Sequence, residues 1–194
     1  MRLKNHYLVL RHGQTFYQIS EKKLAYPWPE KKPILLTKEG EKQIEEAAKR
    51  LKKASIDFIY ASDANRTRHS AGIIKKIIKF KKRIIFDKRL RDINLGVFGG
   101  KSREKFFDSF PKFSEALFCN KPKRGESWTD CRERLENFLE DIDKKYKNKN
   151  ILIISHGDPI WLLEGLVKGI NDKELIARKK KIFLKTGRFK KLTH

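Results

Sequence analysis

The stretch His6–Thr15, HYLVLRHGQT, decides how this chain is read. Four apolar or aromatic residues, Tyr7 to Leu10, form a run of strand length. The run stops at Arg11, His12 and Gly13. A strand that buries Leu8, Val9 and Leu10 has no structural need for two cationic side chains at its end. Their placement therefore points to chemistry.

Outward from that strand, strands and helices alternate. Residues 36–53 (LTKEGEKQIEEAAKRLKK) read as an amphipathic helix with Ile44, Ala47, Ala48 and Leu51 on one face. IDFIYAS reads as a second strand ending in a polar turn, and ANRTRHSAGIIKKIIK as a helix striped by Ala71, Ile74 and Ile78. RIIFD is a short third strand. SWTDCRERLENFLEDIDKKY is a long helix that Ser127 and Asp130 open in a capping-box pattern. NILIISHGD is a fourth buried strand, and PIWLLEGLVKG begins a helix with Pro159 in its first turn. KIFLKTGRFKKL reads as a terminal hairpin turning near Thr186-Gly187.

This alternation predicts an α/β fold, a three-layer α/β/α sandwich with a mainly parallel central sheet. Residues 93–126, with SREKFFDSF inside them, break the rhythm and are expected to form an irregular, partly helical excursion after the third strand. The 194 residues, 39% hydrophobic, suit a single domain spanning 1–194. No apolar run reaches the ~18 residues of a membrane span. The first residues lack the pattern of a signal peptide. Cys119 and Cys131 show neither metal nor framework spacing and are expected to be free thiols, so a cytoplasmic location is expected.

The formal charge of +23 attracts polyanions, yet the lysines are spread over separate segments. No RNA-binding sheet signature, finger spacing or helix-turn-helix pattern accompanies them. A solvated lysine-rich surface is favoured over a dedicated nucleic-acid site. Oligomeric state is not legible.

Candidate groups recur where strands end: Arg11 and His12, then Ser62 with Arg66 a turn later, then Asp92, then His156. Open α/β sheets bind ligands beyond the carboxyl ends of their strands. Two arginines can grip a phosphate dianion through paired charge-assisted hydrogen bonds. A neutral histidine can attack phosphorus when its other ring nitrogen is fixed. A second histidine, if protonated, adds charge opposite the transition state. A carboxylic acid can protonate the leaving alkoxide and then deprotonate water. No His-x-x-x-His pair or Cys/His cluster is present, and two arginines would repel a cation, so neither metal nor other cofactor is expected.

LRHGQT resembles the signature of the histidine phosphatase superfamily, the fold shared with cofactor-dependent phosphoglycerate mutases. ILLTKEGEKQ, IYASDANRTRHSA, LRDINLGVFGG, GESWTDCRERL and IISHGDPI resemble that family's later landmarks, in its order, from about residue 6 to 192. The resemblance implies that His12 is phosphorylated, that Arg11, Arg66 and His156 bind the phosphoryl group, and that Asp92 is the acid/base. Asp92 stands where the family usually has glutamate, and His69 where it more often has glutamine. Arg68 competes with Arg66 for the second arginine role, and family register favours Arg66.

Gln14, Thr15, Gly157 and Glu126 are candidates for substrate binding. Thr15 could equally stabilise its turn, and Glu126 could be a loop charge or could share the acid/base task. The loop AYPWPEKKP, with Tyr26 and Trp28, either walls the pocket or packs on the domain. Three functions stay open: a phosphatase acting on a small phosphorylated metabolite, a phosphoglycerate-type mutase, and a basic binding module with weakened catalysis. The phosphatase is favoured, because a Trp-Asn pair of the mutases is missing near Tyr17-Gln18.

Overall fold

The computed structural model describes residues 2–109 and 114–193. Five strands form one sheet: β1 (His6–Arg11), β2 (Phe58–Ala61), β3 (Ile85–Phe86), β4 (Asn150–Ser155) and β5 (Phe189–Leu192). Their order is β3-β2-β4-β1-β5. The first four run parallel, and β5 pairs antiparallel with β1. Eight helices are seen among the described residues: α1 (Phe16–Ile19), α2 (Lys38–Leu51), α3 (Asn65–Ile77), α4 (Arg103–Ser109), α5 (Ala116–Cys119), α6 (Trp128–Lys145), α7 (Gly157–Lys168) and α8 (Asp172–Ile182).

The period-2 alternation of the strands sorts the core onto two faces. Leu10, Ile59 and Ile154 pack with Ile44 and Ala48 of α2 and Ile74 of α3. Tyr7, Val9 and Ile153 face the other way, onto Leu135 and Phe138 of α6 and Leu162 of α7. This is the expected three-layer arrangement. α2 starts at Thr37, whose hydroxyl accepts from the Gly40 amide at 3.0 Å. α6 starts with the predicted capping box: the Asp130 amide donates to Ser127 Oγ at 3.1 Å, and the Ser127 amide to Asp130 Oδ2 at 2.8 Å.

Register carries the function. Arg11 pairs with Ser155, and Ile154 lies between Leu10 and Ala61. The residues after the three parallel strands (His12, His156 and Ser62) therefore leave the sheet at one edge. Gly13 is needed there: a Cβ at this position would stand 2.3 Å from the Gly40 carbonyl oxygen.

A 3-10 turn at Lys88–Leu90 follows β3, and the excursion then holds a 3-10 turn at Gly96–Phe98, α4 and α5. Phe106, Leu117 and Phe118 fasten it to the core shared with α6 and α7. Phe110, the last residue of SREKFFDSF, lies outside the described residues. Cys119 is exposed, Cys131 is buried, and both are free. Among the described residues no helix is long and apolar enough to cross a membrane.

The terminal hairpin needs correction. Lys181 and Ile182 end α8, so the segment before the turn is not a strand. The expected turn does exist. Gly187, at φ +68°, donates from its amide to the Arg11 and His12 carbonyls at 3.1 Å each, and the chain then enters β5. α8 follows a local signal, Asn171 accepting from the Glu174 amide at 2.9 Å, with Leu175 buried. The lysine run at its end masked that pattern.

Buried Asp143 of α6 anchors the entry to β1. It accepts from the Lys4 amide at 2.9 Å, the Asn5 amide at 3.2 Å, Asn5 Nδ2 at 3.0 Å and Tyr7 Oη at 3.1 Å. Asp143→Ala strands several buried donors at once, and is expected to cost about 3 kcal/mol of stability. Urea unfolding of the variant checks this, and a change within experimental error would refute it.

Candidate active site

His12 is 1% exposed. Its Nδ1 lies 2.7 Å from the Gly13 carbonyl oxygen, which can only accept, so Nδ1 carries the proton. Nε2 is left with a bare lone pair. Burial, with Arg66 and Arg11 nearby, holds the His12 pKa well below the usual histidine range, so the ring stays neutral.

His156 follows β4 and is the residue that precedes α7. Arg66 Nε donates to its Nδ1 at 3.2 Å, so Nε2 carries the proton and donates to Ser62 Oγ at 2.9 Å. Burial, then Arg66 and His12, push its pKa well down. The arrangement therefore holds a neutral ring rather than a standing cation. The two imidazole centroids are 5.2 Å apart.

Arg66 of α3 is 2% exposed. Beyond His156, it donates from Nη1 to Glu30 Oε1 at 2.5 Å and from Nη2 to Asp92 Oδ2 at 3.4 Å. Its guanidinium lies 3.5 Å from the centroid of the Tyr26 ring. Arg68 instead bonds the Asp63 carbonyl and covers Phe86, away from this cluster. Arg11 donates from Nη1 to the Leu184 carbonyl at 2.9 Å, and its Nε is buried without a partner. A buried guanidinium N–H left over beside a cavity suits an anion.

Asp92 accepts from the Ile93 amide through Oδ1 at 3.1 Å. Burial raises its carboxyl pKa above the ordinary value, against the pull of Arg66. Arg11, Asp92, Tyr26, Arg103, Gly157 and Asp158 line a cavity of about 140 Å³. The shorter aspartate thus still reaches the pocket.

The other substrate-binding candidates are engaged elsewhere. Thr15 is fully buried and caps α1. Its hydroxyl meets Tyr26 Oη at 2.6 Å and Gln18 Oε1 at 3.0 Å, so the turn role describes it. Gln14 Oε1 accepts from Thr37 Oγ1 at 3.0 Å. Glu126 is held by Arg134 at 2.6 Å and accepts from the Asn94 amide at 2.9 Å. Of the catalytic and substrate-binding residues named from sequence, Arg11, Asp92 and Gly157 line the small cavity, while His12, Arg66, His156 and these three do not. Among the described residues no cluster of three or more His, Cys, Asp or Glu could hold a metal ion.

The sequence reading passed over Glu30, Arg103 and Asp158. Asp158 is 5% exposed and binds Lys179 at 2.7 Å and Arg103 at 3.7 Å. Burial would raise its pKa, but Lys179 and Arg103 outweigh that and lower it. SHGDPI did carry a signal for it, an acid in the first turn of a helix at a strand end.

Glu30 comes from the loop first quoted for Tyr26 and Trp28. Its side chain is 4% exposed, and its second oxygen accepts from Asn65 Nδ2 at 2.9 Å. A phosphoryl group bound at Arg66 would share its guanidinium with the Glu30 carboxylate. Glu30→Gln removes that like charge, and is expected to tighten inhibition by inorganic phosphate about tenfold, roughly 1.4 kcal/mol. Unchanged or weaker inhibition would mean that Glu30 positions Arg66 instead.

Relatives carry related names. The chain is 27% identical over 168 residues to a protein called probable phosphoglycerate mutase GpmB from Erwinia tasmaniensis, covering 84% of this chain and 74% of that one. Its fold matches YhfR of Bacillus stearothermophilus with a TM-score of 0.82 at 23% identity, over 95% of this chain and 89% of that one. It also matches a mycobacterial glucosyl-3-phosphoglycerate phosphatase, with a TM-score of 0.75 at 21% identity, over 91% and 84% of the two chains. A sequence model of the family matches residues 7–179, which hold the four parallel strands and helices α1 to α7, and the chain belongs to the histidine phosphatase superfamily, branch 1.

Proposed function

We propose that the chain is a phosphomonoesterase working through a phosphohistidine at His12. The observation that carries this reading is the fixed tautomer of His12, with Nδ1–H tied to the Gly13 carbonyl and Nε2 bare in a cluster with Arg66 and His156. Nε2 attacks phosphorus, and the bond from phosphorus to the ester oxygen breaks. Asp92 gives its proton to the departing alkoxide. Water then attacks the phosphoryl group while Asp92 takes its proton. The phosphorus–nitrogen bond breaks, and the electron pair returns to Nε2. Arg11 and Arg66 offset the charge on the equatorial oxygens throughout.

The relative named as a mutase supports a second reading, in which the phosphoryl group returns to another hydroxyl of the same substrate. Incubation with 3-phosphoglycerate separates the two. Free phosphate is expected, whereas an isomerised ester would make the chain a mutase.

The pKa directions set a pH profile. His12 must be neutral, and its pKa is depressed, so the acidic limb of kcat/KM lies below the usual histidine value of 6.5. Asp92 must begin protonated, and its pKa is raised, so activity falls as pH rises through a value above 3.8. A bell-shaped profile is expected, with the His12 limb below 6.5 and the falling limb set by Asp92 above 3.8. Activity climbing steadily past pH 8 would refute these roles.

A further inference from the structure

A second, larger cavity of about 670 Å³ opens beside the small cavity lined by Arg11 and Asp92. Arg103, Asp158 and Phe183 line both spaces. The apolar walls of the larger one include Ile93, Leu95, Phe107, Trp128 and Ile176, and Lys179 and the exposed Lys180 and Lys185 also line it. Its volume is that of a small-molecule site. From the phosphomonoesterase reading, we infer that this cavity receives the alcohol part of the substrate. We further infer that this alcohol is bulky and apolar, an aryl-alkyl or long alkyl group rather than a neutral sugar or glycerol.

The polar groups of the lining carry the argument. Asp158 is engaged by Lys179 and Arg103, so it does not offer free acceptors to hydroxyls. Among the described lining residues, one buried side-chain polar atom lacks a hydrogen-bond partner, the indole Nε1 of Trp128. A polyhydroxylated neutral alcohol would meet mainly apolar walls, with the ammonium groups of Lys180 and Lys185 on exposed residues that water already serves, and would lose its own water with little recompense. An apolar alcohol removes its own surface and that of the walls from water. A single ether or carbonyl oxygen could accept from Trp128. Hydrophobic pockets discriminate by modest factors, so a preference of ~10- to 100-fold is expected.

The test compares 2-phenylethyl phosphate with glycerol 3-phosphate. Both leave as primary alkoxides, so chemical reactivity contributes little to the difference. It also measures binding of 2-phenylethylphosphonate and methylphosphonate by calorimetry, which needs no turnover. Ala177→Trp fills the cavity from α8, where Ala177 is exposed and a tryptophan side chain has room to enter without breaking the core. The expected result is a preference of at least about tenfold for both phenylethyl compounds, lost in Ala177→Trp, with methylphosphonate binding unchanged. Equal handling of both esters, or a preference that survives Ala177→Trp, overturns the inference and leaves the phosphatase reading standing. Tight phenylethylphosphonate binding that Ala177→Trp abolishes, without hydrolysis of either ester, upholds the cavity and overturns the phosphatase reading.

Discussion

His12→Ala is expected to lower kcat/KM for every phosphomonoester by at least about 10³-fold while the protein stays folded. Removing the nucleophile leaves no group in the cluster with the same geometry. His156 cannot substitute, because its Nδ1 faces Arg66 and its Nε2 faces Ser62. Arg11 and Arg66 would still bind the phosphoryl group, so inhibition by inorganic phosphate should change far less than turnover. The fold should survive because the His12 ring makes one backbone hydrogen bond, to its neighbour Gly13, and the strand register rests on β1 itself. Steady-state kinetics with a matched circular dichroism spectrum checks this. A folded variant that keeps a tenth of the activity would remove His12 from the chemistry.

Asp92→Asn is expected to cost between about 10² and 10⁴ in kcat/KM on an alkyl phosphate, the range of a lost general acid. The effect should depend on the leaving group. 4-Nitrophenolate departs without a proton, so 4-nitrophenyl phosphate should lose less than about tenfold in kcat/KM. Asparagine keeps the volume of aspartate and its one amide oxygen can still accept from the Ile93 amide, while the NH2 that replaces Oδ2 no longer accepts from Arg66. An equal loss on both esters would mean that Asp92 only positions Arg66. The same experiment on Glu30→Gln identifies the competing carboxylate, since Glu30 also binds Arg66, at 2.5 Å. A dependence on leaving group in Glu30→Gln and none in Asp92→Asn would transfer the acid role to Glu30.

The legible parts of the molecule are those where one short segment carries both the element and its chemical group. HYLVLRHG and NILIISHG show a buried strand running into a histidine, and the parallel register does the rest by aligning Arg11 with Ser155. Helix caps were equally plain, because Ser127 and Asp130 meet within one turn. What the sequence hid was assembled across long separations. Arg103, Asp158 and Lys179 come from three helices, and their convergence depends on how the excursion packs against α7 and α8. Glu30 sits in a proline-rich loop with no period to place it, yet the fold delivers its carboxylate to Arg66. α8 was missed because lysines occupy its last turn, where they suit the helix dipole but blur the apolar stripe. Thr15 and Gln14 follow the histidine in sequence and are candidates for substrate binding. Their hydroxyl and amide are instead tied to Gln18, Tyr26 and Thr37.

The central claim is that the phosphoryl group passes through His12. Its most direct measurement is to mix Asp92→Asn with 4-nitrophenyl phosphate, quench in alkali, which preserves phosphohistidine, and map the modified residue by mass spectrometry of peptides. The account predicts one phosphoryl group on the peptide containing His12, on the ring nitrogen, and none when His12 is replaced in the same background. A phosphoryl group on His156, on a serine or on a carboxylate, or steady turnover with no modified peptide at any time, would contradict it.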